Sequence, residues 1–378
     1  MKCRKICIIN TTQCNLSCVY CYEKKTSSAF NLPKVTSKLK SVYSDSCMIE
    51  IYGGEPFLAF NNLVDICSFV WNNLNPNQSF CITTNGTLIH GKVKQWVNCN
   101  KQRITLCLSI DGEKNSHDIN RPGSFDEIDL NFILNLKNPV AKMTLSPLTI
   151  DTLYQNVTYL HKLGFHKILV NIAQMQGWED RSFNVFAEQM RELINYYEVN
   201  PHILPCSLFD INFENLDACV AFRKGCDIGE EIVIDGDGLV YPCRMLIPTV
   251  VSSTQIDEIS KMLKTGFFHT FVSQKCSRCL FLKICKTCYA ANYIERHSLN
   301  ERDMNLCTFT KIRIKAAAIL FTDKLLENNS DERIPSTRTI RCVKAILNVS
   351  AENGGYPPTQ NGDIRSLFWL FSLMALQN

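Results

Sequence analysis

Residues 6–21 read ICIINTTQCNLSCVYC: a β-branched apolar run, Ile6–Ile9, followed after a short polar stretch by Cys14, Cys18 and Cys21. A run of that kind reads as a buried strand, so the three cysteines occupy the loop leaving its carboxyl end. The Cys-x3-Cys-x2-Cys spacing is too tight for three unrelated core thiols, and it is one thiolate short of closing a four-ligand metal site. Three thiolates hold three corners of a [4Fe–4S] cube, which normally takes four. The remaining iron is then open to an outside ligand. A zinc knot or incidental cysteines is the competing reading. Zinc, however, recruits its ligands as two separated pairs, and no His or further Cys follows closely behind Cys21.

The same grammar continues outward. Apolar runs recur at Met48–Tyr52, Phe80–Thr84, Ile104–Ile110, Val140–Leu145 and Ile168–Ile172. Helix-like stretches follow at Leu58–Leu74, Leu88–Asn98, Phe125–Leu136, Thr152–Leu163 and Ser182–Tyr197. Six β-then-α units predict an α/β fold, a parallel sheet covered by helices and curled into a partial (β/α)6 TIM-like barrel over residues 1–215. Ligands of such sheets bind at the carboxyl ends of the strands. Gly53-Gly54-Glu55-Pro56 follows the second run, Asn85-Gly86 the third, and Ser109-Ile110-Asp111-Gly112 closes the fourth. Four loops thus converge on one mouth. The two glycines leave backbone bare for close approach, or form an ordinary strand-to-helix turn with Pro at the helix start. Ser109 and Asp111, at i and i+2, share one face, or belong to a plain Ser-x-Asp-Gly turn.

Residues 216–310 are cysteine-rich, with Cys219, Cys226, Cys243, Cys276, Cys279, Cys285, Cys288 and Cys307 and little periodicity. Their start reads as a hairpin, Glu231–Ile234 and Leu239–Tyr241 flanking Asp235-Gly236-Asp237-Gly238. By local spacing alone the Cys-x2-Cys pairs favour a pair of zinc sites. Residues 311–378 read as helical, with stretches at Lys311–Leu326, Thr339–Val349 and Leu367–Leu376. The last is too short to cross a bilayer and is expected as a core helix.

The 378 residues are 46% hydrophobic and 20% charged, which supports a real core and excludes disorder. A formal charge of +4, from 40 basic and 36 acidic residues, gives no case for nucleic acid or an anionic membrane. Twenty cysteines would suggest disulfides in a short secreted chain. Residues 1–13 contain no apolar signal segment. A reducing cytoplasm is the expected compartment, where clustered thiols are metal ligands and isolated ones are mostly packing residues.

At Cys14, Cys18 and Cys21, with aromatic Tyr20 before the last, the chain resembles the radical S-adenosylmethionine (radical SAM) superfamily. Gly53–Pro56 matches its Gly-Gly-Glu-Pro motif, and Thr84-Asn85-Gly86-Thr87 and His117-Asp118 with Arg121 agree with the family. The resemblance implies a [4Fe–4S] cluster whose open iron chelates SAM, and cleavage of SAM to a 5′-deoxyadenosyl radical. It implies that Gly53, Gly54, Glu55 and Pro56 receive the methionyl ammonium and that Asn85 lies at the same site. Ser109 and Asp111 would meet the ribose and Arg121 the SAM carboxylate, a surface arginine being the alternative. The downstream array resembles the SPASM domain. That implies one auxiliary cluster on Cys276, Cys279, Cys285 and Cys307, and another on Cys226, Cys243 and Cys288, with Cys219 a candidate fourth ligand.

Relatives with this pair of domains mostly modify ribosomally synthesised peptides by oxidation, cross-linking or epimerisation, and peptide maturation is the leading expectation by that analogy. Cys206 is a candidate hydrogen donor for an epimerase. An electron donor such as flavodoxin or ferredoxin is implied. No leader-binding module precedes Cys14, so a separate leader-binding protein, the SPASM region or the tail would serve. Sulfatase maturation (formylglycine formation) is the alternative. Those relatives carry an aspartate directly after the cysteine matching Cys243, where this chain has Arg244. A non-enzymatic electron carrier or zinc scaffold would explain the cysteines but not the strand-end motifs.

Overall fold

The computed structural model describes residues 4–26, 29–216, 226, 228, 231–264, 272–327 and 337–348. Six parallel strands form where the apolar runs lie: β1 Lys5–Thr11, β2 Met48–Gly53, β3 Phe80–Thr84, β4 Ile104–Ser109, β5 Val140–Leu145 and β6 Lys167–Ile172. The intervening helices are α1 Leu32–Val42, α2 Phe60–Asn73, α3 Gly91–Cys99, α4 Lys114–Asn120, α5 Leu130–Leu134, α6 Leu153–Leu163 and α7 Arg181–Val199. Three depart from the sequence reading, one of them α4, which no expected helical stretch covers. The helix α1 was not anticipated, since only Val35 and Leu39 anchor its apolar face; Asn31 caps it by accepting from Lys34 N. The expected helix Phe125–Leu136 is broken into a 3-10 turn and α5, because Asp129 starts a new helix by accepting from Phe132 N.

The sheet does not stop at six strands. β7, Glu231–Ile234, pairs parallel with β1, with Lys5 opposite Glu231 and Cys7 opposite Val233; β8, Val240–Tyr241, returns antiparallel beside it. The strand order is β6-β5-β4-β3-β2-β1-β7-β8. The hairpin at the head of the cysteine-rich region therefore extends the barrel sheet. Its turn seats against the start of α1: Asn31 N donates to Gly236 O at 2.7 Å. A methyl group on Gly238, whose φ is +74°, would stand 2.8 Å from Lys34 O.

Period-two alternation gives the sheet two distinct faces. Ile6, Ile8, Ile49, Ile51, Phe80, Ile82, Leu106, Leu108, Ala141 and Met143 pack beneath the helices against Leu39, Leu63, Val97, Val157 and Leu193. Each such side chain contributes roughly 1.5–3 kcal/mol of burial, which fixes strand register. The opposite face carries Lys5, Cys7, Glu50, Cys81, Thr83, Cys107, Lys142 and Glu231. Beside β1 it is covered by a second core, in which Cys7 and Ile9 meet Val233, Leu246, Ile259 and Tyr289. The region expected to lack regular structure contains α8 Ser253–Lys264, α9 Gln274–Ser277 and α10 Tyr289–Arg296. After it come α11 Met304–Glu327 and α12 Thr337–Leu347. Helix α11 lies against α7, with the Phe309 ring 5.0 Å from Phe186 and 4.7 Å from Trp178. The segment Leu367–Leu376 lies outside the described residues. Among those described, no helix is long and apolar enough to cross a membrane.

Candidate active site

The cysteine loop is fastened from two sides by the ends of neighbouring strands. The end of β2 lies flat against it: Gly54 N donates to Thr11 O at 3.0 Å and Glu55 N to Gln13 O at 2.8 Å. A methyl group on Gly53 would stand 2.1 Å from Thr11 O; one on Gly54 would stand 2.1 Å from Gln13 O and 3.0 Å from Cys14 Cβ. Both glycines are therefore demanded by the approach of the thiol-bearing loop itself. Glu55 is fully buried. Its Oε1 accepts from Phe57 N at 3.1 Å and Thr84 Oγ1 at 2.8 Å, and its Oε2 from Asn85 N at 2.7 Å. Burial pushes this carboxyl up to about 7 against the pull of those donors. In the structure the Glu55 oxygens tie β2 to β3, and Gly54 is the partly exposed member of the motif. Asn85 completes this corner, donating to Asn15 Oδ1 at 2.9 Å, while Asn15 donates to Thr87 Oγ1 at 2.9 Å.

On the other side stands Asp111, 0% exposed. Its Oδ2 accepts from Tyr20 OH at 2.8 Å and Arg121 Nε at 2.9 Å, and its Oδ1 from Thr144 N at 2.7 Å. All three of these partners belong to the protein; Ser109, half-buried at the end of β4, is the more accessible member of the pair. Arg121 is equally constrained. Its guanidinium lies over the Tyr20 ring at 5.4 Å, with NH1 3.9 Å from Cys18 Sγ. Val19 N donates to Asn120 O at 3.0 Å, so the segment between Cys18 and Cys21 is held by backbone as well.

His117 orients Asp111 from behind. Its Nδ1 accepts from Asp111 N at 3.4 Å and its Nε2 faces Ser124 Oγ at 2.9 Å. Burial, chiefly, lowers this imidazole to about 4. An unfolded His titrates near 6.5, so the folded state resists a proton that the unfolded state takes up between about 4 and 6.5. Stability is therefore full above that window and falls with acidification through it, by at most about 1.4 kcal/mol per pH unit. Urea midpoints at pH 7 and pH 5 are expected to differ, and His117→Asn is expected to reduce the difference. An unchanged pH slope in the variant would contradict this assignment.

Cys14 and Cys18 are half-buried and Cys21 is exposed; Cys18 interacts electrostatically with Cys21, and Cys14 with Cys18. Downstream, Cys307 feels Cys279 and Cys276, and Cys285 feels Cys307 and Cys279. Separately, Cys243 feels Cys226 and Cys288 feels Cys243. Main-chain N–H groups of Leu16, Ile228, Met245 and Ala291 donate to the sulfurs of Cys14, Cys226, Cys243 and Cys288, each at 3.4 Å. Such donors favour thiolate, yet burial pushes Cys243 up to about 12 and Cys285 and Cys288 up to about 11. Metal binding at these positions must displace protons. The donor chemistry fits iron–sulfur clusters: groups of soft sulfur ligands, and a buried guanidinium, Arg302, against Cys285 Sγ at 2.7 Å. Cys219 lies outside the described residues.

Cys206 does not reach this site. It is 1% exposed, receives Tyr197 in hydrogen bonding distance of its N–H at 2.9 Å, and packs in the core beneath the helices. The thiols on the opposite, strand-lined face are Cys7, Cys81 and Cys107, the last two with sulfurs 2.7 Å apart. That face also carries a charge network that sequence reading missed. Glu50 binds Lys5 at 2.5 Å, Lys142 at 2.8 Å and Arg244 at 2.8 Å, and Glu231 binds Lys5 at 3.1 Å and Arg244 at 2.8 Å. Cys7, Glu50 and Glu231 lie within 4.8 Å of one another. Three cations already neutralise those carboxylates, so the group is an ion network and not a metal site. Its only sequence signal was a charge at the middle of an apolar strand, in MIEIY and VAKMTL.

A thiol-bearing loop is thus clamped at the strand ends of a parallel α/β sheet, and two further cysteine groups follow it in the chain. No family model matches the chain. A cysteine-type anaerobic sulfatase-maturating enzyme of Clostridium perfringens is 24% identical over 322 residues, covering 72% of this chain and 85% of the relative. Among solved structures, native anSMEcpe with bound AdoMet and Cp18Cys peptide matches at TM-score 0.65 and 19% identity, covering 83% of this chain and 96% of that one. Streptococcus suis SuiB bound to precursor peptide SuiA matches at TM-score 0.56 and 17% identity, covering 81% and 76%. The chain is similar to radical SAM enzymes: a radical SAM cyclopropyl synthase of Paramaledivibacter caminithermalis is 21% identical over 280 residues, covering 64% of this chain and 57% of the relative, and the solved structures share this chain's fold.

Proposed function

We propose that this enzyme modifies a ribosomally synthesised peptide. In this reading Cys14, Cys18 and Cys21 hold a [4Fe–4S] cluster with one iron left to SAM. Cys276, Cys279, Cys285 and Cys307 hold a second cluster, and Cys226, Cys243 and Cys288 a third, with Cys219 the candidate fourth ligand. The observation that carries the proposal is the double clamp, in which the ends of β2, β3 and β4 all fasten one cysteine loop. When bound, the cluster and SAM supply a 5′-deoxyadenosyl radical able to take hydrogen from an unactivated carbon.

The chain's own residues position and exclude. The Gly54 backbone and Ser109 are the groups left to face SAM, and Asp111 holds Arg121 and Tyr20 in place beside the cysteine loop. The ion network around Glu50 closes the strand-lined chamber with fixed charge. A peptide is the substrate class supported by fold neighbours captured with peptides. A reductant of the flavodoxin or ferredoxin class would supply the electron.

The clostridial relatives favour a second reading, oxidation of a sulfatase cysteine. Arg244 supports the first. It stands where sulfatase-maturing relatives carry an aspartate, and its guanidinium is closed between Glu50 and Glu231, so that position holds no base.

Anaerobic reconstitution with iron and sulfide, followed by dithionite and SAM, is expected to release 5′-deoxyadenosine. Cys18→Ala is expected to abolish the release while the downstream sites keep their iron. A fully loaded protein that leaves SAM intact would sink the enzyme reading. A mass change in a short peptide encoded beside this gene, set against none in a sulfatase-derived cysteine peptide, separates the two substrates.

A further inference from the structure

Arg302 lies in the loop between α10 and α11, and it is unlike the other buried arginines. Arg121 is paired with Asp111, and Arg244 with Glu50 and Glu231. Arg302 has NH1 on Cys285 Sγ at 2.7 Å, while its Nε and NH2 are buried with no hydrogen-bond partner. The adjacent acid does not serve it: Asp303 Oδ1 accepts from Asn305 N and Leu306 N at the start of α11, and Oδ2 lies 3.8 Å from Arg296. The guanidinium instead acts electrostatically on Cys285 and Cys276. A buried donor left unmade costs about 1–3 kcal/mol, more when the group is charged. Two such donors, on a guanidinium whose third nitrogen already lies on Cys285 Sγ, call for an anionic acceptor beside them.

We propose that Arg302 donates hydrogen bonds to the sulfur of the cluster held by Cys276, Cys279, Cys285 and Cys307, and sets its reduction potential above that of the same site without the arginine. The inference rests on the ligand assignment proposed above. A cluster gains one negative charge on reduction, so a fixed buried cation with N–H groups on its sulfur stabilises the reduced form more than the oxidised one. Hydrogen bonds to charged acceptors are also the stronger kind. One electron is added and no proton need move. The consequence for the enzyme is direction: an electron leaving the substrate is drawn to this cluster, which serves as the collecting end of the chain.

The test uses the full-length, anaerobically reconstituted protein, with iron and sulfide counted first and each cluster followed by electron paramagnetic resonance during a redox titration. In Arg302→Met one signal is expected to need a more negative poise. Its reduced-to-oxidised ratio at the wild-type midpoint should drop by up to about tenfold, which for one electron corresponds to about 59 mV. The signal of the Cys14 site should stay in place. Arg302→Lys, keeping charge but losing the fork of donors, should fall between. If Arg302→Met loses that cluster's iron, Arg302→Gln and Arg302→Lys decide the matter by the same titration. Unmoved midpoints in variants that keep full iron overturn the inference. A wild-type protein with no cluster on those four cysteines overturns the ligand assignment itself, and iron analysis reveals that before any titration.

Discussion

Gly54→Ala is expected to empty the amino-terminal cluster site and to reduce 5′-deoxyadenosine formation by at least about 100-fold, the loss that follows when a reacting group is displaced by roughly an ångström. The added methyl would stand 2.1 Å from Gln13 O, 2.5 Å from Gln13 C and 3.0 Å from Cys14 Cβ. Neither partner can step aside cheaply, because Gly54 N and Glu55 N are bonded to Thr11 O and Gln13 O. Relief requires the loop to lift, which breaks both bonds at roughly 0.5–1.5 kcal/mol each and carries Cys14 out of position. The sheet beneath is unaffected, since Ile8 and Ile51 pack on the other face. Iron bound by the C-terminal cysteines should therefore persist. Gly177→Ala is the control: nothing lies within 4 Å of its added carbon. Iron analysis and nucleoside release on the two variants check the claim. Wild-type product from Gly54→Ala would contradict the clamp.

Glu50→Gln is expected to cost about 3–5 kcal/mol of stability, the range for removing one partner from a buried ion pair. Glu50 has 3% of its side chain exposed and faces three cations, with Thr83 Oγ1 donating to it at 2.7 Å. Burial alone would raise its carboxyl, yet Arg244, Lys142 and Lys5 together hold it well below the usual carboxylate range. A depressed carboxylate contributes stability that is complete above its unfolded value, about 4.3, and is lost only as pH falls below that toward the folded one. At neutral pH the contribution is full, and neutralising the side chain removes it outright, leaving Lys5 and Arg244 to share Glu231 and taking from Lys142 its ion-pair partner. Denaturant midpoints at pH 7 measure this. A loss under about 1 kcal/mol, the range of exposed pairs, would mean that the network is solvated. Glu50→Leu combined with Lys142→Met should recover part of the loss, because it removes a charge of each sign.

The strands were legible because burial on one face imposes a period of two, and β-branched runs such as Ile6–Ile9 show it directly. The hairpin at Glu231–Tyr241 was legible as a hairpin from its Asp-Gly turn. That it joins β1 was not, since a strand's partner depends on long-range packing and not on its own pattern. The motifs at the mouth were found correctly as strand ends. How their side chains are partnered within the protein was not legible, because hydrogen-bond saturation is a property of neighbours. Glu55 and Asp111 look available in sequence, yet each is consumed by donors from segments about 30 or more residues away in the chain.

Spacing alone determined that a thiol triplet leaves a strand and that a second cysteine array follows, because a cluster's ligand set needs sulfurs at short, definite separations. Composition likewise settled that the chain could bury a core. Only the tertiary structure decided which polar groups remain free. It set Cys206 beneath the helices, turned Lys5, Glu50, Lys142 and Arg244 toward one another, and left two N–H groups of Arg302 without an acceptor. Those outcomes depend on what each side chain meets across the sheet, and a linear pattern carries no record of that.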